Sequence, residues 1–158
     1  MKNIDFNAID GIIKKGLKSI SLPFKQRAKF EGWLKIELAA ELSKKFNDTR
    51  IEPSYPHKTQ SSADIFSNNY YIELKTVDTD CPYSNTVDGR KRFSNNITLV
   101  LKDINKLRPV KGIVAFILFP YDQNYKCNIG SVRNEFKKNN IVEGSASTKG
   151  YYIFVAEV

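Results

Sequence analysis

The chain has 158 residues, 41% of them hydrophobic and 27% charged, which suits one domain with a real core and excludes an intrinsically disordered chain. Lys and Arg total 25 against 17 Asp and Glu, a net charge of +8 that points to a polyanionic partner, although a solvated basic surface has the same composition. No apolar run approaches the roughly 20 residues of a membrane span, so no membrane partner is expected. The start, MKNIDFNAIDGIIKKG, has acids and no apolar h-region, unlike a secretory leader.

In chain order, Ile4, Ile9, Ile12, Ile13, Leu17 and Ile20 fall at helical spacing and predict a first helix over 4–20, ending near Ser21-Leu22-Pro23. Residues 24–46 predict the clearest helix, with Phe30, Trp33, Leu34, Leu38 and Leu42 as its apolar stripe. Three strands are expected next, over 50–55, 62–67 and 70–77. A polar loop over 78–93 carries Arg90-Lys91-Arg92. Residues 95–107 predict a helix closed by Pro109, and the apolar run GIVAFILFP at 112–120 a buried central strand. A basic helix over 130–139 and a strand over 151–158 complete the order. The fold class is therefore α/β, a mixed central sheet flanked by helices, within a single domain spanning 1–158.

Two cysteines far apart, Cys81 and Cys127, and one histidine, His57, argue against a zinc site and fit a reducing cytoplasm. His57 lies in the loop Ser-Tyr-Pro-His, where a lone histidine is usually solvated. A metal in this chain is expected to be hard and held by carboxylates.

The strands at 62–67 and 70–77 are separated only by Asn68-Asn69. A two-residue hairpin turn needs positive φ, which Asn tolerates, and that turn sets the register. Ser67 then faces Tyr70, Phe66 faces Tyr71, Ile65 faces Ile72, Asp64 faces Glu73 and Ala63 faces Leu74. Ala63, Ile65, Ile72 and Leu74 form a core face, while Asp64, Glu73 and Lys75 share the other with Phe66 and Tyr71. Opposed carboxylates repel and call for a cation, either Lys75 or Mg²⁺; an exposed charge cluster is the plainer reading. Glu37 lies among Trp33, Leu34 and Ala40 on the long helix, and Glu41 one turn on. It is expected either to meet that cation or to pair at the surface with Lys44 or Lys45.

Asp64, eight intervening residues and Glu73-Leu74-Lys75 resemble the PD-(D/E)XK motif of restriction-endonuclease-like nucleases, with Ala63 where the motif has proline. The predicted elements from about 24 to 120 are similar to that family's α-β-β-β-α-β core. The resemblance implies a divalent-metal-dependent nuclease, foremost a DNA endonuclease, with Mg²⁺ or Mn²⁺ as cofactor and a 5′-phosphate product. It implies metal ligation by Asp64, Glu73 and the Leu74 carbonyl, with Lys75 acting in the chemical step. Glu37, or alternatively Glu31, matches the family's helix glutamate.

DNA contacts are expected from Arg90, Lys91 and Arg92, and from the basic stretch over 14–35 that includes Lys25 and Lys29. Asn95, Asn96 and Lys102 stand on or before the following helix and are further candidates. RNA and branched DNA are alternative substrates, and double-strand cleavage by one small site would need a homodimer. The rival to catalysis is a noncatalytic nucleic-acid-binding module on the same fold.

Overall fold

The computed structural model describes residues 6–25, 28–79, 93–121, 129–140, 142–148 and 150–158, the side chains of some of them excepted. Four helices, α1 (Phe6–Lys25), α2 (Glu31–Ser43), α3 (Phe93–Leu107) and α4 (Ile129–Lys138), flank two sheets. The strands are β1 (Arg50–Ile51), β2 (Ser54–Tyr55), β3 (Lys58–Ser62), β4 (Ile65–Ser67), β5 (Tyr70–Asp78), β6 (Gly112–Tyr121), β7 (Val142–Thr148) and β8 (Gly150–Glu157). The main sheet has six strands in the order β1-β4-β5-β6-β8-β7, and β2 and β3 form a separate ribbon. Among the described strands of this sheet, only β5 and β6 run parallel, with α3 between them in the chain; the other neighbours are antiparallel. The protein is thus a mixed α/β structure with a mixed central sheet.

Two cores explain the strand patterns. On one face, Ile9 and Ile13 of α1 and Leu34, Leu38 and Leu42 of α2 pack on Ile65, Ile72, Leu74, Ile113, Ala115 and Ile117. On the other, Val100, Ile104 and Leu107 of α3 and Val132 and Phe136 of α4 pack on Val77, Val114, Phe116, Leu118 and Phe154. Strand β6 sends alternate residues into each core, which is why its sequence is apolar without a break.

The hairpin turn forms as the sequence implies. Asn68 and Asn69 have φ of 50° and 63°, and Ser67, Phe66 and Ile65 pair with Tyr70, Tyr71 and Ile72. Asp48 braces the turn by accepting the N–H groups of Asn68 at 2.9 Å and Asn69 at 3.2 Å.

Four expectations need correction. The helix predicted over 24–46 begins at Glu31, because the chain turns at Phe30, whose ring packs edge-on against Phe119 at 5.0 Å. The first helix instead runs on to Lys25; Pro23 falls in its last turn, where its missing N–H removes one i→i−4 hydrogen bond close to the point where the helix ends. The strand predicted over 50–55 is split at Glu52, whose φ is 51°, so that β1 and β2 join different sheets. The strand predicted over 62–67 is interrupted at Ala63-Asp64. There the Asp64 N–H donates to the Ile72 carbonyl although Ile72 is already the partner of Ile65. That extra residue reverses the alternation, so Ala63 joins the core beneath α3 rather than the face of Ile65 and Leu74. Strand β7 had no expectation.

Helices and sheet approach closely at two glycines. A Cβ on Gly16 of α1 would overlap the Trp33 ring of α2, and one on Gly112 would lie 2.5 Å from the Leu107 Cβ. The second contact sets where the end of α3 rests on β6. Gly112→Ala is expected to destabilise by about 1–3 kcal/mol, since a Cβ root cannot swing away. Gly11→Ala, with nothing within 4 Å of the new Cβ, is expected to stabilise α1 by up to about 1 kcal/mol. Urea unfolding midpoints at constant slope measure both.

Candidate functional site

Strand β5 is paired with β6 from Tyr71 to Asp78, but with β4 only from Tyr70 to Ile72. Beyond Ile72, the edge that faces away from β6 lies outside the ladder. N–H and C=O of one residue leave a strand on the same side, so Leu74 and Thr76 present both groups to this open edge. Carboxylates fill it. Asp64 Oδ2 accepts the Leu74 N–H at 2.8 Å, and Glu31 Oε2 accepts the Thr76 N–H at 3.1 Å. Asp64 is therefore not the ladder partner of Glu73. The irregularity at Asp64 turns its side chain along the edge, beside the Glu73-Leu74-Lys75 segment.

Glu73 and Lys75 project from the α3 side of β5, two residues apart. Glu73 is buried, and its Oε1 accepts the Tyr55 hydroxyl at 2.6 Å, with the Lys106 Nζ at 3.9 Å. Lys75 Nζ lies 3.3 Å from Asp103 Oδ2 of α3 and 3.8 Å from Glu31 Oε1 of α2. Lys106, one turn after Asp103, pairs with Asp103 Oδ1 at 2.6 Å. On the other flank, Lys35 of α2 contacts Glu52 at 2.6 Å and Asp64 Oδ1 at 3.6 Å. Four carboxylates and three ammonium groups thus meet where α2, the β3–β4 link, β5 and α3 converge.

The structure brings together Asp64, Glu73, Leu74 and Lys75, and it sets Glu37 apart. Glu37 is exposed, about 120° around α2 from Glu31 at 100° per residue. Glu31 occupies the helix position because it lies in register with the buried Leu34, Leu38 and Leu42. Glu41 pairs with Lys44 at 2.7 Å, away from the cluster. Lys29 and Lys102 are exposed, whereas Lys25 ends α1 with its side chain outside the described set, as are those of Asn95 and Asn96. Arg90, Lys91 and Arg92 lie outside the described residues, as do Cys81 and Cys127. His57 is exposed, its ring 5.3 Å from that of Tyr55.

Three members went unforeseen: Tyr55, Asp103 and Lys106. Asp103 carried a readable signal, since it falls between Val100, Ile104 and Leu107 on the apolar stripe of α3. A charged residue in such a stripe needs a partner. Tyr55 carried none, because its contact depends on how the β2–β3 ribbon docks.

Burial and the negative charges of Asp103 and Asp64 push Glu73 up to about 7, against the pull of Tyr55 and Lys106. Burial alone would depress Lys75, but Glu31 and Asp103 outweigh it and hold the group above its ordinary value, protonated at neutral pH. Lys106 behaves likewise, burial being outweighed by Asp103 and Glu73. Burial and the Glu73 carboxylate raise Tyr55, which stays a donor.

Among the described residues, no three His, Cys, Asp or Glu side chains form a ready metal cage. The donors that do adjoin the open edge are hard oxygens: Asp64, Glu73 and the Leu74 carbonyl. That set suits Mg²⁺ or Mn²⁺, which take oxygen ligands and retain waters. Burial raises Glu73 foremost, and the repulsion from Asp103 and Asp64 that adds to it is the kind a divalent cation relieves. Comparison with protein-family models, curated proteins and solved structures finds no match to this chain. Among the described residues, no helix is long and apolar enough to cross a membrane.

The raised Glu73 makes stability depend on pH in a defined direction. A group that binds its proton more tightly when folded contributes fully below its unfolded pKa, and that contribution is lost as pH rises through the folded value. Relative to Glu73→Gln, the wild type should lose up to about 3 kcal/mol between about pH 4.5 and 7.5. Lys75 and Lys106 titrate far above this window. Denaturant unfolding of both proteins across the range is the measurement, and parallel curves would refute the assignment.

Proposed function

We propose that the protein is a divalent-metal-dependent phosphodiesterase that cleaves nucleic acid, DNA foremost. The observation that carries the reading is the placement of Asp64 on the Leu74 N–H, which sets its carboxylate beside Glu73 and Lys75 at the free edge of β5. Two features support the restriction-endonuclease-like assignment. The sheet segment β1-β4-β5-β6 has antiparallel, antiparallel and parallel pairings with a helix crossing over before β6. A glutamate-bearing helix, α2, packs over the hairpin that carries the motif.

Asp64, Glu73 and the Leu74 carbonyl are the groups that would hold Mg²⁺ or Mn²⁺. When bound there, the ion would supply Lewis-acid charge to the phosphoryl oxygens and a more acidic water. Lys75 is held protonated by Glu31 and Asp103, so it acts as a cation and hydrogen-bond donor to charge developing on the phosphate, not as a base. Glu31 fixes α2 to the strand and aims Lys75. Lys106 and Lys35 extend the positive rim, and each can exchange a carboxylate for a phosphate oxygen. The net charge of +8 supplies long-range attraction for the polyanion.

A noncatalytic nucleic-acid-binding module is the second reading. It draws on the same lysines, which already neutralise much of the cluster without a metal. Nicking of plasmid and of single-stranded DNA and RNA in Mg²⁺ or Mn²⁺, beside a metal-dependent thermal shift, separates the two. Asp64→Asn should lose both signals. Lys75→Met should lower nicking by about 10²–10³-fold yet keep the thermal shift, because Lys106 still pairs with Asp103 and the fold survives. Undiminished nicking by Lys75→Met removes its assigned role. A wild type that neither nicks nor shifts with metal selects the noncatalytic module.

A further inference from the structure

A chain of planar groups in contact, edge-on or tilted to one another, leads from the solvent to the buried Glu73. The guanidinium of Arg50 lies over the Phe66 ring, 4.6 Å from its centroid. The Phe66 ring meets Tyr71 edge-on at 4.8 Å, Tyr71 lies 5.3 Å from Tyr55, and Tyr55 lies 5.3 Å from His57. The Tyr55 hydroxyl then donates to Glu73 at 2.6 Å. Arg50 and His57 at the two ends are exposed, and Phe66 and Tyr71 between them are half-buried. Exposed Lys58 follows His57.

The arrangement exceeds what the core requires. Residues facing outward near a sheet edge are ordinarily polar, and β1 and β4 are two and three residues long. Aromatic and guanidinium planes with neighbouring positive charge suit one kind of ligand. Unpaired bases stack on such planes while lysine and arginine take the phosphates. A duplex cannot use them, because its base faces are already stacked on one another. Tyr71 and Glu73 are two residues apart on one face of β5, about 7 Å, so a base resting on this surface would hold its phosphate next to the carboxylate cluster.

We infer that the substrate is single-stranded nucleic acid, or an unpaired segment of it, whose bases stack on the Arg50–Phe66–Tyr71–His57 surface beside the cluster of Asp64, Glu73 and Lys75. This rests on the phosphodiesterase reading for its chemistry, but its binding is measured without it.

The test is fluorescence anisotropy with labelled oligo(dT), oligo(U) and a DNA duplex of equal length, in EDTA so that nothing is cut. The wild type should bind at least one of the single strands about tenfold more tightly than the duplex. Arg50→Lys keeps the charge and removes the plane, and Phe66→Leu keeps the apolar bulk and removes the ring. Each should weaken single-strand binding several-fold and leave duplex binding unchanged. Equal or tighter duplex binding, an unaffected Arg50→Lys variant, or no binding to any strand overturns the inference. Single-strand binding by a protein that never cuts in Mn²⁺ would sustain the stacking surface and reject the phosphodiesterase. Cutting confined to duplex would do the reverse.

Discussion

The short pairing of β4 with β5 governs the rest of the site. A strand buried against helices on both faces cannot leave N–H groups without partners, since each would cost about 1–3 kcal/mol. Strand β5 continues past Ile72, where β4 has turned away, and the missing neighbour is replaced by two side chains. Asp64 and Glu31 take the place of a strand. That substitution commits two carboxylates to one edge and pins the first turn of α2 to the sheet. It also opens the gap through which Lys75 reaches Glu31 as well as Asp103.

Charge balance follows from that crowding. Asp64, Glu31 and Asp103 have a cation at 3.6, 3.8 and 2.6 Å, with Lys35, Lys75 and Lys106 spread over α2, β5 and α3. Glu73, as buried as Asp103, is the exception in degree: its nearest donor is a neutral phenol, and Lys106 stands 3.9 Å away. The cluster is therefore paired as a network, with Glu73 the carboxylate least compensated by positive charge.

The same edge leaves Arg50 of β1 exposed and Phe66 of β4 and Tyr71 of β5 half-exposed. Had β1 and β4 been long strands, their outward faces would have needed a covering helix, as β5 and β6 have in α3. Their brevity lets Arg50 and Phe66 meet solvent a short distance from Glu73.

The amino-acid sequence alone determined the local facts. The Asn68-Asn69 pair set the turn and the register from Ile65 to Tyr70, and the periodicities separated helix from strand and marked β6 as buried on both sides. Those outcomes depend on φ preferences and on burial of neighbouring side chains, which are properties of short segments. Tertiary structure decided which carboxylate serves the edge. Glu31 and Glu37 both stand on a helix among apolar residues; Glu31 shares the register of Leu34, Leu38 and Leu42, and the packing of that stripe on the sheet turns it inward and Glu37 to solvent. It also decided that Ala63 and Asp64 leave the ladder, and that Asp103, Lys106 and Tyr55 complete the cluster from elements distant in the chain. Long-range ion pairs and edge hydrogen bonds have no period to read, because they answer to the geometry of packing and not to the order of residues.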